Sequence, residues 1–336
     1  MRLLVLGGTE FAGRAVVEAA LGRGWEVTVF HRGRHAPPAG VRSLHGDRTA
    51  PDGLAALTDA PGTWDAVVDT WAAAPRAVRD TARLLRGRAG RYAYVSSCSV
   101  YDWAPPPGYT EDAPLVVGAS ADAGQTDYAR DKRGGELAAV AGFGAADALL
   151  VRSGLILGPY ENIGRLPWWL GRIARGGPVL APGPRELPIQ LIDVRDLAGW
   201  TLDAVAAGLG GPYNLMSPSG HATMGELLEA CVAITGSDAE LRWTEPRVVL
   251  DAGIEPWTQL PVWVPPDSEL HGALHGGDVS RAVAAGLACR PVEETVADTW
   301  AWLRSIGGTA PQRPDRPAVG LDPEAEAKVL AGGTGV

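Results

Sequence analysis

The sequence predicts an α/β fold in which a doubly wound parallel sheet is followed by a smaller and less regular C-terminal domain. Up to about residue 157, short apolar runs alternate with segments of helical spacing, which is typical of consecutive βαβ units with right-handed crossovers. The first apolar run, LLVL, leads into the glycine-rich stretch GGTEFAG and then into a helical segment. Beyond residue 160 the alternation is lost, and eight of the twelve tryptophans lie there, which indicates a loop-rich domain packed by aromatic side chains.

Each element follows from a local pattern. In the first half, strands are predicted over residues 3–6, 26–30, 42–45, 66–69, 92–96 and 148–157, and helices over 14–22, 76–85 and 128–140. In the second half, strands are predicted over 188–192 and 213–216, and helices over 196–207 and 223–234. The last of these helices opens with a capping box, because Thr223 precedes Glu226 by three residues. Residues 306–336 lack a core pattern and are expected to form a loosely ordered tail with one short helix over 322–330.

The composition excludes several classes of function. The 336 residues carry a formal net charge of −9, which argues against a general nucleic-acid surface. No apolar run approaches the roughly 18 to 20 residues of a membrane span, and no signal-peptide pattern precedes the first strand. Neither the six histidines nor the widely spaced Cys98, Cys231 and Cys289 show a metal-ligand spacing. We therefore expect a cytoplasmic protein that acts on a small molecule, with no metal ion, membrane or nucleic acid as partner.

The stretch GGTEFAG is the first candidate binding site. A helix that begins directly after a strand and a glycine turn points free N–H groups at an anion, such as the pyrophosphate of a dinucleotide. Gly7 would permit the tight turn and Gly13 the close approach of the helix to the sheet. Thr9, Glu10 and Phe11 lie between them and complete the set of expected cofactor contacts in this turn.

A basic segment, HRGR, follows the second strand, where folds that select NAD usually carry an acid for the ribose 2′-hydroxyl. Its residues His31, Arg32 and Arg34 suit the 2′-phosphate of NADP instead. NADP(H) is therefore the favoured cofactor, and NAD(H) is the alternative. After the third strand, HGDR adds Asp47, which is placed to hold the adenine amino group, and Arg48 beside it.

Glu10 bears on this choice of cofactor. An unpaired carboxylate against the pyrophosphate would repel it, so the side chain is expected to point outward. Two destinations are open: the ribose hydroxyls of adenosine, or an ion pair with Arg32 or Arg34. The first would weaken the preference for NADP, because an acid near the 2′ position rejects phosphate, and the second would leave that preference standing.

The residues that could carry a reaction follow the fifth strand. That strand ends in YVSSCSVY, and TDYARDKRGGE downstream carries Tyr128 and Lys132 four residues apart. On a helix, residues i and i+4 share one face, so the phenol and the ammonium can act on one site. The ammonium and a nicotinamide's positive charge would favour the phenolate, which can accept and return a proton. A serine hydroxyl can then hold the substrate oxygen where charge develops.

The motifs GGTEFAG, HGDR, SSCSVY, YARDK, VRSGLILGPY and IDVRDLA resemble those of extended or atypical short-chain dehydrogenase/reductases, in the NAD-dependent epimerase/dehydratase superfamily. The resemblance covers roughly residues 1–305. It implies a Rossmann cofactor domain over residues 1–160 and about 186–216, and a substrate domain over about 161–185 and 217–305. It also implies a catalytic set of Ser97, Tyr128 as acid/base, and Lys132, which would bind the nicotinamide ribose and favour the phenolate. Extended members are often homodimers through two helices of the cofactor domain.

Two departures from the family pattern narrow the reaction. Sugar-nucleotide dehydratases of the superfamily carry an acidic pair after the catalytic hydroxyl residue, whereas this chain has Cys98 and Ser99. Many sugar-nucleotide members carry an asparagine three residues after an arginine, whereas Arg152 is followed there by Leu155, which cannot make that polar contact. The main prediction is therefore an NAD(P)-dependent carbonyl reductase or alcohol dehydrogenase for a small or medium organic substrate.

Two alternatives stay open. An epimerase would oxidise its substrate and re-reduce it on the other face with the same residues. A non-catalytic protein that binds a nucleotide or RNA is the second alternative, because GGTxFxG also resembles atypical members such as plant chloroplast stem-loop RNA-binding proteins.

The substrate contacts are the least determined part of the site, because fold analogy says little about specificity. Trp257 and Trp263, in EPWTQLPVWVPP, are candidates, because amphipathic aromatic side chains suit mostly apolar clefts. Cys98 is a third candidate by its position beside Ser97. Because no histidine is placed to activate it, its thiol is expected to be buried and inert rather than nucleophilic.

Overall fold

The computed structural model describes residues 1–309 and 311–332. Its strands are β1 (Arg2–Leu6), β2 (Glu26–His31), β3 (Arg42–His45), β4 (Trp64–Asp69), β5 (Ala89–Ser97), β6 (Ala148–Ser153), β7 (Ile156–Leu157), β8 (Pro178–Pro182), β9 (Pro188–Ile189), β10 (Ile192–Asp193), β11 (Gly211–Leu215), β12 (Ala222–Thr223) and β13 (Glu240–Thr244). Its α-helices are α1 (Phe11–Gly22), α2 (Ala55–Thr58), α3 (Pro75–Leu85), α4 (Tyr128–Phe143), α5 (Arg165–Ala174), α6 (Val194–Ala207), α7 (Met224–Thr235), α8 (Pro246–Asp251), α9 (Glu269–His275), α10 (Ser280–Ala284), α11 (Val292–Ser305) and α12 (Pro323–Gly332).

The chain divides into two compact units. Unit 1 comprises Met1–Gly154, Val194–Met216 and Asp278–Ala288. Unit 2 comprises Leu155–Asp193, Ser217–Gly277 and the described residues from Cys289 onward. Residues 278–288, expected in the substrate domain, belong to unit 1, because α10 packs beside β11 and the Arg281 guanidinium lies 4.8 Å from the centre of the Tyr213 ring.

The sheet of unit 1 confirms the predicted doubly wound parallel fold. Its seven strands lie in the order β11-β6-β5-β4-β1-β2-β3, and every neighbouring pair is parallel. The strand order reverses between β1 and β4, because β2 and β3 extend the sheet on one side and β5, β6 and β11 on the other. Open parallel sheets bind ligands outside the carboxyl ends of their strands at such a reversal, so those strand ends are where a site is expected.

Helix α4 lies unusually close to the sheet of unit 1. It packs against β5 and α3, and Gly134 and Gly135 make this approach possible. A Cβ at Gly134 would lie 2.6 Å from the Ala119 carbonyl oxygen, and one at Gly135 would collide with the Tyr94 hydroxyl. The two glycines therefore allow α4 to lie close to Ala119 and to Tyr94 of β5. The helix begins with Tyr128 and carries Lys132 in its second turn.

Unit 2 is built from short strand pairs and helices around one apolar core. Its pairs are β10–β7 and β13–β8, both parallel, and β12–β9, which is antiparallel. The strand predicted over residues 188–192 is two strands, because Gln190 turns inward between them and its amide donates to the carbonyls of Ser217 (2.8 Å) and Gly277 (2.9 Å). The strand predicted over 148–157 also divides, since the chain leaves the sheet of unit 1 and Leu155 is buried in the core of unit 2.

The C-terminal segment differs from the expected loose tail. Helix α12 is present, close to the predicted short helix, and its Glu326 is only 6% exposed. The Glu326 carboxylate accepts hydrogen bonds from Arg172 Nε (2.6 Å) and from the Leu180 N–H (3.0 Å). This buried ion pair ties α12 to α5 and β8, so the described part of the segment is a structural component of unit 2.

Candidate active site

The glycine turn after β1 brings three backbone segments together. Gly7, at φ +102°, donates its N–H to the Phe30 carbonyl (3.0 Å). A Cβ at Gly7 would lie 2.6 Å from Thr70 Oγ1, and one at Gly13 would lie 2.6 Å from the Gly7 carbonyl oxygen. Side chains at these positions would therefore fill the turn or push α1 away from it.

Helix α1 begins at Phe11, which has a positive φ of 35°. Glu10 is its N-cap, but the Glu10 side chain makes no capping hydrogen bond. The first-turn N–H groups are thus without a side-chain cap, and the helix dipole favours an anion at this end. The Glu10 carboxylate points outward as expected, and one of its oxygens lies 3.6 Å from His35 Nε2.

The residues of the basic segment HRGR, which begins at the last residue of β2, differ in their exposure. Arg32 and Arg34 are exposed, and both contribute to lowering the pKa of Asp47, after the larger effect of the hydrogen bonds from Thr49. His31 is buried instead, and its ring contacts Ser43 Oγ (3.4 Å) and accepts from the Gly33 N–H (3.2 Å). Both ring nitrogens of His31 therefore have partners within the protein, and its contact with a cofactor stays a prediction.

The prediction that Arg48 contacts the cofactor is corrected by its pairing with Asp69. Arg48 Nη1 and Nη2 donate to the two Asp69 carboxylate oxygens at 2.6 and 2.8 Å. Its Nε donates to Thr81 Oγ1 (2.9 Å), and Nη2 also donates to the Ala77 carbonyl (2.9 Å). The guanidinium is therefore committed to β4 and α3, and the Asp69 carboxylate raises its pKa despite burial.

The predicted catalytic residues all lie at or beside the carboxyl end of β5. Ser97 is its last residue, and its Oγ accepts from the Ser99 N–H (3.1 Å). Tyr128 is the half-buried first residue of α4, and it lies near enough to Tyr94 to raise the Tyr94 pKa after burial and Asp69. Lys132 is 3% exposed, and its ammonium lies 4.9 Å from the centre of the Tyr94 ring.

The ammonium of Lys132 is held by two backbone carbonyls. Nζ donates to Val95 O, inside β5 (2.6 Å), and to Trp71 O, in the loop after β4 (2.7 Å).

The sequence patterns did not single out Asp69, Thr70 or Trp71 as functional residues, although a run of polar and aromatic residues at the end of a buried strand is a usable signal. A second signal is the scarcity of lysine, since Lys132 and Lys328 are the only lysines among the 30 lysine and arginine residues.

A second buried network lies behind Ser97. The Glu136 carboxylate accepts from Ser96 Oγ (2.8 Å) and Arg152 Nε (2.9 Å). Arg152 also donates to Tyr101 Oη (3.1 Å), whose hydroxyl donates to Asn214 Oδ1 (2.5 Å). Arg152 is therefore part of the support of β5 and β11, and the buried Leu155 that follows it offers no polar contact.

The three candidate substrate residues have different surroundings. The Cys98 thiol contacts the Arg152 carbonyl oxygen (3.2 Å), and burial raises its pKa to about 12, which fits an inert thiol. Trp257 is half-buried, with the Arg165 guanidinium 4.7 Å from its ring centre. Trp263 is fully buried and donates its indole N–H to the Gly183 carbonyl (2.9 Å), so it is a core residue and the expectation that it lines a pocket is wrong.

Two further findings concern the described residues, 1–309 and 311–332. They contain no group of three or more His, Cys, Asp or Glu side chains that could hold a metal ion. None of the helices in this part of the chain has both the length and the apolar character needed to cross a membrane.

Comparison with known proteins gives one family and many similar structures. The family model described as NAD dependent epimerase/dehydratase family matches residues 3–215. The enzyme WbmH from Bordetella bronchiseptica, in complex with NAD+, is 20% identical over 91% of this chain and 99% of its own, with a TM-score of 0.66. A putative epimerase from Burkholderia cenocepacia is 21% identical over 90% and 98% of the chains, with a TM-score of 0.66.

The UDP-glucose 4-epimerase of Thermus thermophilus, in complex with NAD, is 20% identical over 90% of this chain and 99% of its own, with a TM-score of 0.62. Comparison with curated protein sequences finds no match. At these identities the likeness to the solved structures is one of fold. The NAD bound in the Bordetella and Thermus structures gives no support to the expected preference for NADP.

Proposed function

We propose, from the premise that this chain belongs to the NAD-dependent epimerase/dehydratase family, that unit 1 binds NAD(H) and that Ser97, Tyr128 and Lys132 carry a reversible oxidation of a secondary alcohol. The observation that carries the proposal is the position of Lys132. One of only two lysines among the 30 lysine and arginine residues is buried four residues after Tyr128, and its ammonium is held by two carbonyls at the carboxyl end of the sheet.

The glycine turn fits a dinucleotide. Gly7 and Gly13 put no side chain into the turn, where a Cβ would lie 2.6 Å from a neighbouring atom, and Glu10 at the N-cap of α1 makes no capping hydrogen bond to the first-turn N–H groups. These N–H groups, with Thr9 and Phe11, would hold the pyrophosphate, and Asp47 with its exposed neighbours would lie at the adenosine end. When bound, the nicotinamide supplies the hydride acceptor and donor.

The protein's own part is proton transfer and orientation. The Tyr128 hydroxyl would take the proton of the substrate alcohol and return it, and the Lys132 ammonium would favour the phenolate form. Ser97 Oγ would hydrogen-bond the substrate oxygen as its charge changes. The buried Ser96–Glu136–Arg152 network holds the end of β5, and so fixes the backbone from which Ser97 projects.

Epimerisation is the reaction we favour, because the family match and the solved relatives support it better than a net reductase. In an epimerase the ketone formed by hydride transfer stays bound, turns its other face to the cofactor and is reduced again, so the same three residues serve both steps. A net carbonyl reductase is the second candidate. Leu155 favours the reductase, because a buried leucine has no amide group with which to contact a sugar diphosphate.

The test is turnover by wild type and Tyr128→Phe with NAD+ and a panel of UDP-sugars, secondary alcohols and ketones. Epimerisation would appear in proton NMR spectra as a new epimer without net NADH, whereas a reductase would consume NADH with a ketone. We expect Tyr128→Phe to lower kcat by about 10²- to 10⁴-fold while the Kd for NAD+ changes less than about threefold. The matched control is Tyr213→Phe, because the Tyr213 ring packs at a tilt against the Trp200 ring and Tyr213 is not one of the proposed residues. This variant should keep wild-type kcat. Full activity of Tyr128→Phe would overturn the assignment.

The choice between NAD and NADP is tested at the adenosine end. We propose NAD(H), since Glu10 places a carboxylate beside the loop that carries Arg32 and Arg34. The Kd of NADH should be lower than that of NADPH in wild type, and Glu10→Gly should narrow the difference because it removes the repulsion of a 2′-phosphate. Tighter binding of NADPH by wild type would restore the preference predicted from HRGR.

Trp257 remains a proposed substrate contact of unit 2, since it is half-buried and held by Arg165. We expect Trp257→Leu to raise KM with little change in kcat, because it would remove binding that is shared by ground state and transition state. An unchanged KM for the best substrate of the panel would remove Trp257 from the site.

A further inference from the structure

The two backbone carbonyls that accept from the Lys132 ammonium differ in their surroundings, because one lies in a strand and the other in a loop. Val95 O belongs to β5, and its place is fixed by the parallel ladders with β4 and β6. Trp71 O belongs to the loop that follows β4, and a loop carbonyl keeps its direction only if the loop is held. The position of Lys132 therefore depends on what fixes Trp71.

The Asp69 carboxylate, at the end of β4, holds that loop by a hydrogen bond to its backbone. It is fully buried, and its Oδ1 accepts from the Trp71 N–H (3.0 Å). Tyr92 donates its hydroxyl to Asp69 Oδ2, and Tyr94 donates its hydroxyl to the Trp71 carbonyl (3.0 Å). The N–H and the carbonyl of Trp71 are thus each held by a side chain that projects from β4 or β5.

Arg48 completes this arrangement. It forms two hydrogen bonds with Asp69, is tied to α3 through Thr81 and Ala77, and its guanidinium lies 5.2 Å from the centre of the Trp71 ring. A carboxylate buried without such a partner would be strongly disfavoured in its charged form. Arg48 thus pairs with the buried Asp69 carboxylate and packs against the Trp71 ring.

We propose that Arg48 and Asp69 are positioning residues that fix the Lys132 ammonium by holding the Trp71 carbonyl. The inference rests on the proposed function for the role of Lys132 in catalysis, but the positioning itself is a property of the free protein. Neither residue touches the reacting atoms, and both act through the loop after β4.

The scarcity of lysine makes a direct test practical. Protein labelled with ¹⁵N and ¹³C only in lysine has two side-chain ammonium signals, because Lys132 and Lys328 are the only lysines, and Lys328→Arg assigns them. In wild type we expect slow hydrogen exchange for the buried Lys132 ammonium and fast exchange for the exposed Lys328. In Asp69→Asn, exchange at Lys132 should be at least about tenfold faster, because the loop that carries the Trp71 carbonyl loses the support of the Arg48–Asp69 ion pair, although Tyr94 still donates to that carbonyl.

Two further variants keep the test decisive. Tyr92→Phe removes one hydrogen bond to Asp69 and keeps the Arg48–Asp69 ion pair, so it should speed hydrogen exchange at Lys132 by a smaller factor than Asp69→Asn does. If Asp69→Asn does not fold, Tyr92→Phe alone provides the test. Glu326→Gln is the matched control, since it removes a buried carboxylate paired with an arginine in unit 2. It should leave the Lys132 exchange rate within about twofold of wild type.

Kinetics supply a second readout with the substrate found in the panel. Asp69→Asn should lower kcat by about 10- to 100-fold with KM within about threefold, and should move the kcat–pH profile to higher pH by about one unit, because a displaced ammonium favours the phenolate less. Wild-type exchange at Lys132 in both folded Asp69→Asn and Tyr92→Phe would overturn the inference. If Tyr128→Phe keeps full activity, the proposed function fails, and the exchange measurement still decides the positioning.

Discussion

Units 1 and 2 both bury arginine–carboxylate pairs, but the pairs support different things. In unit 1, Arg48 and Asp69 hold a loop at the carboxyl end of a strand, beside Lys132. In unit 2, Arg172 and Glu326 join a helix near the C-terminus to α5 and β8. The same costly interaction thus sets the geometry of a candidate site in one unit and the docking of secondary structure in the other, so a buried ion pair is not by itself a sign of function.

The largest effect that would sharpen this contrast is expected from Trp263→Ala. Trp263 is a fully buried residue of the core of unit 2, so its removal should lower the free energy of unfolding by about 3–5 kcal/mol. The measurement is urea unfolding followed by circular dichroism. Below the new transition, the Kd for NAD+ should stay within about threefold of wild type, because the proposed cofactor residues belong to unit 1.

The control for Trp263→Ala is Trp257→Ala in the same segment. Trp257 is half-buried, and its truncation should cost clearly less than that of Trp263, in the range of about 1–2 kcal/mol. Equal losses for the two variants would contradict the difference in burial between the core residue Trp263 and the half-buried Trp257.

The sequence predicted local features well in both units. The strand, glycine turn and helix at the start of unit 1 and the capping box of α7 are patterns within about ten residues, and the structure confirms them. The polar features that were missed or misassigned depend on distant partners. Arg48 pairs with a residue 21 positions away, and Arg172 pairs with one 154 positions away. No local pattern shows that such a charge will be buried rather than offered to a ligand.

Unit 2 also shows why aromatic composition misled. Eight tryptophans after residue 160 could pack a core or line a cleft, and the choice at Trp263 follows from the Gly183 carbonyl that accepts its N–H 80 positions earlier. In unit 1 the comparable decision was easier, because the period of Tyr128 and Lys132 on one helix placed them together. The placement of Tyr128 and Lys132 on one helix was therefore more predictable than the residues that support them.

The next effect in size is a pair of opposite pH dependences within unit 2. Burial raises the pKa of Glu161 to about 7, although its carboxylate accepts from the Arg165 N–H (2.6 Å). Its contribution to stability is therefore complete below about pH 4.5 and is lost as the pH rises through about 7. Burial lowers the pKa of His275 to about 4, so its contribution is present above about pH 6.5 and is lost as the pH falls through about 4.

These two contributions oppose each other between about pH 4.5 and 6.5, and variants should separate them. Relative to wild type, the unfolding free energy of Glu161→Gln should increase with pH across this window, and that of His275→Asn should decrease, each by up to about 3 kcal/mol. Urea unfolding at half-unit intervals from pH 4 to 7.5 measures both. Parallel profiles for wild type and the two variants would show that neither group titrates differently on folding.

The smallest effect is expected from the capping box of α7, and it tests whether this local motif stabilises unit 2 by the usual amount. Thr223 Oγ1 accepts from the Glu226 N–H (3.1 Å), and the Glu226 carboxylate accepts from the Thr223 N–H (2.8 Å). Thr223→Ala should lower the unfolding free energy by about 1 kcal/mol, because one first-turn N–H of α7 loses its partner. Thr235→Ala at the other end of the helix is the matched control, since its hydroxyl donates to the Cys231 carbonyl (2.8 Å), and that bond adds little to a helix. A loss at Thr223 no larger than at Thr235 would mean that packing, rather than the cap, determines where α7 begins, and that even the local motifs of unit 2 depend on its core.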